Sequence, residues 1–126
     1  DLENMSAADP LSSTFNAAWS IEVIQNFNPS SLTQLLHWLN SEASQFQFLA
    51  SGIPDIHRIR AFYNTQERWQ RYVENCEAGR EHMGRWWSKD ELITIAKNLD
   101  LKVRFENLPS TYYTAHYRFD AIFWRD

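Results

Sequence analysis

The strongest constraint on this chain is the stretch Phe15-Asn16-Ala17-Ala18-Trp19-Ser20-Ile21-Glu22-Val23-Ile24-Gln25-Asn26-Phe27. Residues 15–23 form a near-continuous apolar run, the pattern of a strand covered on both faces. Ser20 and Glu22 place polar groups at its end, and Asn28-Pro29 turns the chain into a helix. There Leu32, Leu35, Leu36 and Leu39 fall at i, i+3, i+4 and i+7, one apolar face, with Asn28 or Ser30 as the cap. Such strand–helix units build open α/β sheets, which bind ligands in the crevice beyond the carboxyl ends of their strands.

The rest of the chain extends that pattern. Phe46 to Ser51 reads as a second short strand, closed by Gly52. After Pro54, Asp55 can cap a long helix, along which Ile56, Ile59, Phe62, Tyr63, Trp69 and Val73 keep helical period. Residues 79–87 read as a loop ending in Trp86-Trp87, and Ser88-Lys89-Asp90-Glu91 is a capping box that starts another helix. Leu101, Val103 and Phe105 alternate with Lys102, Arg104 and Glu106, a strand with one wet face or an edge. A short link leads to a last strand over 117–124, for which antiparallel pairing is natural. The predicted order is strand, helix, strand, helix, helix, strand, strand.

Length and charge narrow the function. At 126 residues the chain is one domain or less. A net charge of −4 argues against a nucleic-acid surface, and Arg58, Arg60, Arg68 and Arg71 are interleaved with acids like a solvated helix face. The single cysteine, Cys76, excludes an intramolecular disulfide and fits a reducing, cytoplasmic setting. No apolar run reaches membrane-spanning length. The four histidines and Cys76 lack metal-ligand spacing, and no nucleophile elbow is present, so neither a metal nor covalent catalysis is expected.

With Asp9 upstream and Ala50-Ser51-Gly52-Ile53-Pro54-Asp55 downstream, the opening stretch resembles the post-strand signature of class I S-adenosylmethionine-dependent methyltransferases. The resemblance implies the later part of a Rossmann-like sheet, from about the end of the family's third strand, with helices on both faces and a reversed last strand. Residues 1–126 would be a partial domain whose glycine-rich cofactor half is missing. S-adenosylmethionine is the implied cofactor, and methyl transfer to a small molecule the implied activity, in a larger enzyme of which this part alone is inactive. The Ile53-Pro54-Asp55 turn and Gly84-Arg85-Trp86-Trp87-Ser88 resemble methyltransferases of polysaccharide and lipid pathways, pointing to a sugar or lipid-linked acceptor.

The resemblance also assigns residues. Ala8-Asp9-Pro10 would meet the adenine amino group, with the Asp9 carboxylate accepting its hydrogen bond; on its own the segment reads as a turn. Ser20, Ile21 and Glu22 would wall the pocket near the cofactor's methionine portion. Glu22 and His57 are the candidate bases for a hydroxyl acceptor. Asn26 stands where relatives often carry His, so a base role does not transfer to it, though it can touch substrate or stabilise the bend. Asp55, Arg58 and His82 are candidate acceptor contacts, Asp55 being equally a helix cap. Trp86 and Trp87 suggest an aromatic lid, with one buried and one lining the pocket. The alternative is a non-catalytic interaction module. Strand 15–23 would then offer its unpaired edge for self-association or to a partner chain.

Overall fold

The computed structural model describes residues 17–43 and 45–126. Helix α1, Pro29–Glu42, begins with Pro29 in its first turn, where a missing N–H costs nothing. Asn28 accepts from the Ser31 amide at 2.8 Å, while Ser31 Oγ accepts from the Asn28 amide at 2.9 Å. Of the two caps read from the sequence, Asn28 is the one used. Leu32, Leu36 and Leu39 are fully buried, and Leu35 packs half-buried against the same core.

Four strands form one sheet in the order β1-β2-β4-β3: β1 is Ala18–Ile21, β2 Gln47–Pro54, β3 Lys102–Asn107 and β4 Arg118–Trp124. β1 runs parallel to β2, and β4 runs antiparallel to both of its neighbours. The ladder aligns Ala18, Phe48, Phe123 and Val103, then Ser20, Ala50, Ala121 and Phe105. These rows lie on one face, where α1 and helix α4, Lys89–Asn98, close the main core with Leu92, Ile95 and Ala96. The α/β class and the reversed last strand are as read from the sequence.

Three expectations need correction. Within the stretch 17–23, the first strand covers Ala18–Ile21 only, with Ala17, Glu22 and Val23 outside it, and its second face is open: Trp19 is 70% and Ile21 65% exposed. Leu49, 36% exposed, continues that face, and the helical cover expected for it is not among the described elements. Second, β2 does not close at Gly52. It passes through a bulge in which Ser51 and Gly52 oppose the single residue Asp120, which is why Ala50 and Ile53 both face the core. A reading based on strict alternation cannot see this extra residue.

Third, the long helix after Asp55 is broken. A 3-10 turn, Ile56–Arg58, leads into α2, Ile59–Phe62; Thr65 then caps α3, Gln66–Glu77, by accepting from the Arg68 amide at 3.1 Å. The break buries Tyr63 in a second, aromatic cluster, stacked on Tyr72 at 4.4 Å and edge-on to Phe62 at 4.8 Å. Burial above all, aided by nearby Glu81, pushes the Tyr63 hydroxyl well above its ordinary range. Burial and then Cys76 raise Tyr72 to about 12, so both phenols stay neutral at physiological pH. Aromatic burial outweighs helical continuity here.

The segment between α3 and α4 is docked, not loose. The Arg85 amide donates to Gln25 O at 2.7 Å, and Trp87 bridges the end of β2 by donating to Pro54 O at 2.8 Å. Gly84, at φ +87°, makes that approach possible, because a Cβ there would lie 2.6 Å from Gln25 O. At Gly79, φ +70°, a Cβ would meet open space. Gly79→Ala should therefore cost only backbone strain, about 1 kcal/mol, and Gly84→Ala distinctly more, on the order of 2–3 kcal/mol. Urea denaturation checks the order; equal costs would show that this docking is not tight.

The Ser88–Glu91 box yields a second prediction. Burial raises the Glu91 carboxyl, but the Ser88 amide and the Arg85 guanidinium outweigh it, so its titration lies below the ordinary 4.5. A group depressed in the folded state contributes stability present above its unfolded value and lost as pH falls through its folded value. The stability gap between the protein and Glu91→Gln should be widest at neutral pH and close as acid protonates Glu91. Urea midpoints at neutral and acid pH measure it; a gap independent of pH would remove Glu91's charge from the account.

Candidate functional site

Because β1, β2 and β3 are parallel to one another and β4 is reversed, Glu22, Pro54 and Asn107 leave the sheet at the same edge where Arg118 enters it. The Glu22 amide donates to Ser51 O at 2.9 Å, extending the β1–β2 ladder by one residue. There the backbone turns left-handed, with φ +54° at Glu22. For a non-glycine residue this costs roughly 1–2 kcal/mol. The other such residue, Asp100 at φ +56°, sits just past α4, where helices commonly end that way. Glu22 instead stands just before a 3-10 turn, Ile24–Asn26, whose start does not call for a left-handed residue, and strain of this kind collects at functional sites.

The bulge beside it is tied down from β4. Asp120 accepts from Ser51 Oγ at 2.9 Å and from the Gly52 amide at 3.0 Å. Arg118, only 4% exposed, donates from one terminal nitrogen to Gly52 O; the other lies 3.7 Å from Glu22 Oε1 and 3.9 Å from Met83 Sδ. Gly52 itself must be small: at φ +76°, a Cβ would lie 2.9 Å from Glu22 Cγ. Neither Arg118 nor Asp120 stands out in the sequence. Each is separated from the residues it holds by more than sixty positions, and both lie in a run of ordinary strand alternation.

Other candidates from the sequence are drawn into the walls. Asp55 is buried, caps its turn through the His57 amide at 3.0 Å and pairs with Arg58 Nε at 3.0 Å. Arg58 spends its remaining donors on Ala115 O at 3.0 Å and Arg118 O at 2.8 Å, fixing the loop that precedes β4. Both tryptophans are buried, where one had been expected to line a pocket. Trp87 Nε1 donates to Ile24 O at 3.2 Å, and Trp86 belongs to the aromatic cluster beside Tyr117. Asn26, His57 and His82 are exposed; Ile21 points to the open sheet face. Ala8, Asp9 and Pro10 lie outside the described residues.

Among the described residues, the buried side-chain polar atoms without a hydrogen-bond partner are Ser20 Oγ, Gln25 Oε1, Arg85 Nε, Trp86 Nε1 and Arg118 Nε. All belong to the exit of β1, the segment before α4 or the start of β4. Buried polar atoms are rarely left unpaired, and each costs about 1–3 kcal/mol. They are packed away from solvent at the end of the sheet where β1 leaves it and β4 enters it. The grooves elsewhere are of another kind. One of about 370 Å³, lined by Gln45, Phe46, Arg104 and Arg125, lies at the opposite edge of the sheet; another of about 640 Å³ separates α1 from α4. No group of acidic, histidine or cysteine side chains suited to a metal ion occurs among the described residues. None of the described helices is long and apolar enough to cross a membrane.

Comparison with known proteins gives the fold a family context. No family model matches the sequence, and no curated protein does. Solved structures do. A magnesium protoporphyrin IX methyltransferase from Synechocystis PCC 6803, crystallised with bound SAH, superposes with a TM-score of 0.60 at 10% identity, over 100% of this chain and 49% of its own. A SAM-dependent methyltransferase from Methanosarcina mazei gives 0.62 at 10% identity, over 97% and 64%. A putative O-methyltransferase from Nostoc punctiforme PCC 73102 gives 0.59 at 12% identity, over 88% and 31%. The chain thus spans between about a third and two-thirds of these structures. The described α/β architecture is a partial Rossmann-like methyltransferase fold.

Proposed function

We propose that this chain supplies the acceptor-side part of a methyltransferase that uses S-adenosylmethionine and acts on a small molecule, in the class of sugars or lipid-linked precursors. The observation that carries the reading is the strained, half-exposed Glu22 at the carboxyl end of β1, in a sheet that superposes on methyltransferase structures. The residues fit one flank of such a cofactor. The half-exposed Glu22 carboxylate suits the amino and hydroxyl hydrogens of an adenosyl-methionine group, while the Ser20 hydroxyl is buried. The three glycines of this chain all lie at positions 52, 79 and 84, so no glycine-rich turn follows β1 to hold the rest of it. Activity then requires the remainder of the fold.

When bound, the cofactor brings an activated methyl group. What the protein must add is position, which alone lowers barriers by roughly 7–11 kcal/mol. Glu22 offers an acceptor for the proton of a hydroxyl, and exposed His57 a second. The docked 80–87 segment, with buried Trp86 and Trp87, excludes water from one side and strengthens charges inside.

Titration of the whole chain with S-adenosylhomocysteine, followed by amide NMR, tests this. Weak, saturable shifts should appear at 20–26, 51–55, 83–87 and 117–120. Silence there, or shifts confined to Gln45–Gln47, Arg104 and Arg125 at the opposite edge, would sink the reading.

One observation favours a second reading, a methyltransferase-like interaction module: Trp19, Ile21 and Leu49 form an exposed apolar face beside the edge strand β1. Exposed patches of this sort mark association surfaces. On that reading the molecular mass in solution rises with concentration, and Trp19→Ser with Ile21→Ser abolishes the rise while the circular dichroism is unchanged. A mass independent of concentration in the unaltered protein would end it.

A further inference from the structure

We infer that Arg118 is the positioning residue of this site, holding Glu22 in its left-handed conformation so that the carboxylate faces the crevice. That the crevice is one for methyl transfer rests on the function proposed above; the geometry of the pair does not.

Four observations converge. Glu22 adopts φ +54° at a strand exit, where nothing in local sequence favours it. Gly52 supplies the space for it, since any Cβ there would press on Glu22 Cγ at 2.9 Å. Arg118 grips the Gly52 carbonyl with one arm of its guanidinium and approaches Glu22 Oε1 at 3.7 Å with the other. Asp120, two positions along the same strand and so on the same face, also fixes the Ser51–Gly52 bulge, through Ser51 Oγ and the Gly52 amide. A planar fork can serve a carbonyl and a carboxylate together, which a lysine ammonium does only as a point charge.

The arrangement is also costly, which argues that it is not mere packing. A guanidinium 4% exposed with an unpartnered Nε would be replaced at little loss by an apolar side chain of similar length if its task were only to fill space. Held as it is, it faces Glu22 at 3.7 Å without covering it, for the Glu22 side chain remains 54% exposed. A carboxylate so placed keeps oxygen lone pairs free to accept a hydrogen bond from a bound group.

NMR on the whole chain without ligand tests the pair apart from any activity. A residue at positive φ has a short intraresidue HN–Hα distance and a strong cross-relaxation peak. In Arg118→Met the β2–β4 amide pattern should persist while the Glu22 peak falls several-fold as the backbone relaxes; Arg118→Lys should restore it only in part. An intact sheet with an undiminished Glu22 peak in Arg118→Met would overturn the inference. Should Arg118→Met fail to fold, Glu22→Gln takes its place. The Arg118 Nε–H resonance should then shift and its hydrogen exchange quicken, and an unmoved resonance with unchanged exchange would overturn the inference equally. Neither result depends on S-adenosylhomocysteine binding, so the pair and the proposed function can fail separately.

Discussion

The arrangement of Arg118, Asp120 and Glu22 depends on the ladder between β2 and β4. β4 pairs with β2 from Gln47↔Trp124 to Pro54↔Arg118, with one extra residue of β2 taken up at Ser51–Gly52. That register brings Phe119, Ala121 and Phe123 onto the core face and puts Asp120 opposite the bulge. A slip of one residue would expose all three apolar side chains and carry Arg118 away from Gly52. Burying them supplies on the order of 2 kcal/mol or more for each large side chain. The hydrophobic effect thus sets the position of a guanidinium that could not hold such a register itself. Packing comes first here, and the polar site is built on it.

Local signals in the sequence were read well where local physics decides. The leucine stripe of α1 and the Ser88–Glu91 box need only neighbours within one helical turn. The alternation over 101–106 likewise reports a strand with one wet face. Signals failed where distant residues decide. Beside Tyr63 only Thr65 is a cap signal; that Tyr63 would stack on Tyr72 and pack against Trp86 is set by distant residues. Nothing in Arg118 distinguishes it from a surface arginine until β4 is seated between β2 and β3. The candidate site shows the same division. Glu22 was legible because it interrupts an apolar run, whereas the residues that hold it come from another strand. Asp55 and Arg58 were legible as polar groups near the crevice, but their hydrogen bonds tie loops together.

The open sheet face raises a related point of energetics. Trp19 and Ile21 alternate with Ala18 and Ser20, so β1 is amphipathic in the wrong sense for an outer strand: its largest apolar groups are those exposed. The core above α1 and α4 is closed without them, and the fold does not need that face to be dry. What their exposure does specify is the chemistry of whatever covers them, which must be broad and apolar to accommodate an indole and a branched aliphatic chain. Both readings of the chain, as part of a larger enzyme and as an interaction module, draw on this one feature. They differ in whether the carboxyl edge is also used.

That edge separates them on physical grounds. A surface selected only for association has no use for a left-handed glutamate, nor for a buried arginine with unmet hydrogen-bonding capacity, since both lower stability without adding apolar contact. Trp19 and Ile21 lie on one side of the sheet plane, while Glu22, Gln25, Arg85 and Arg118 gather at its end, served by different elements. Association through the face would leave the strain at the end unexplained. On the function proposed above, a ligand at the end would account for the strain and leave the face free to be covered. The two features are compatible, but only the strained edge calls for chemistry.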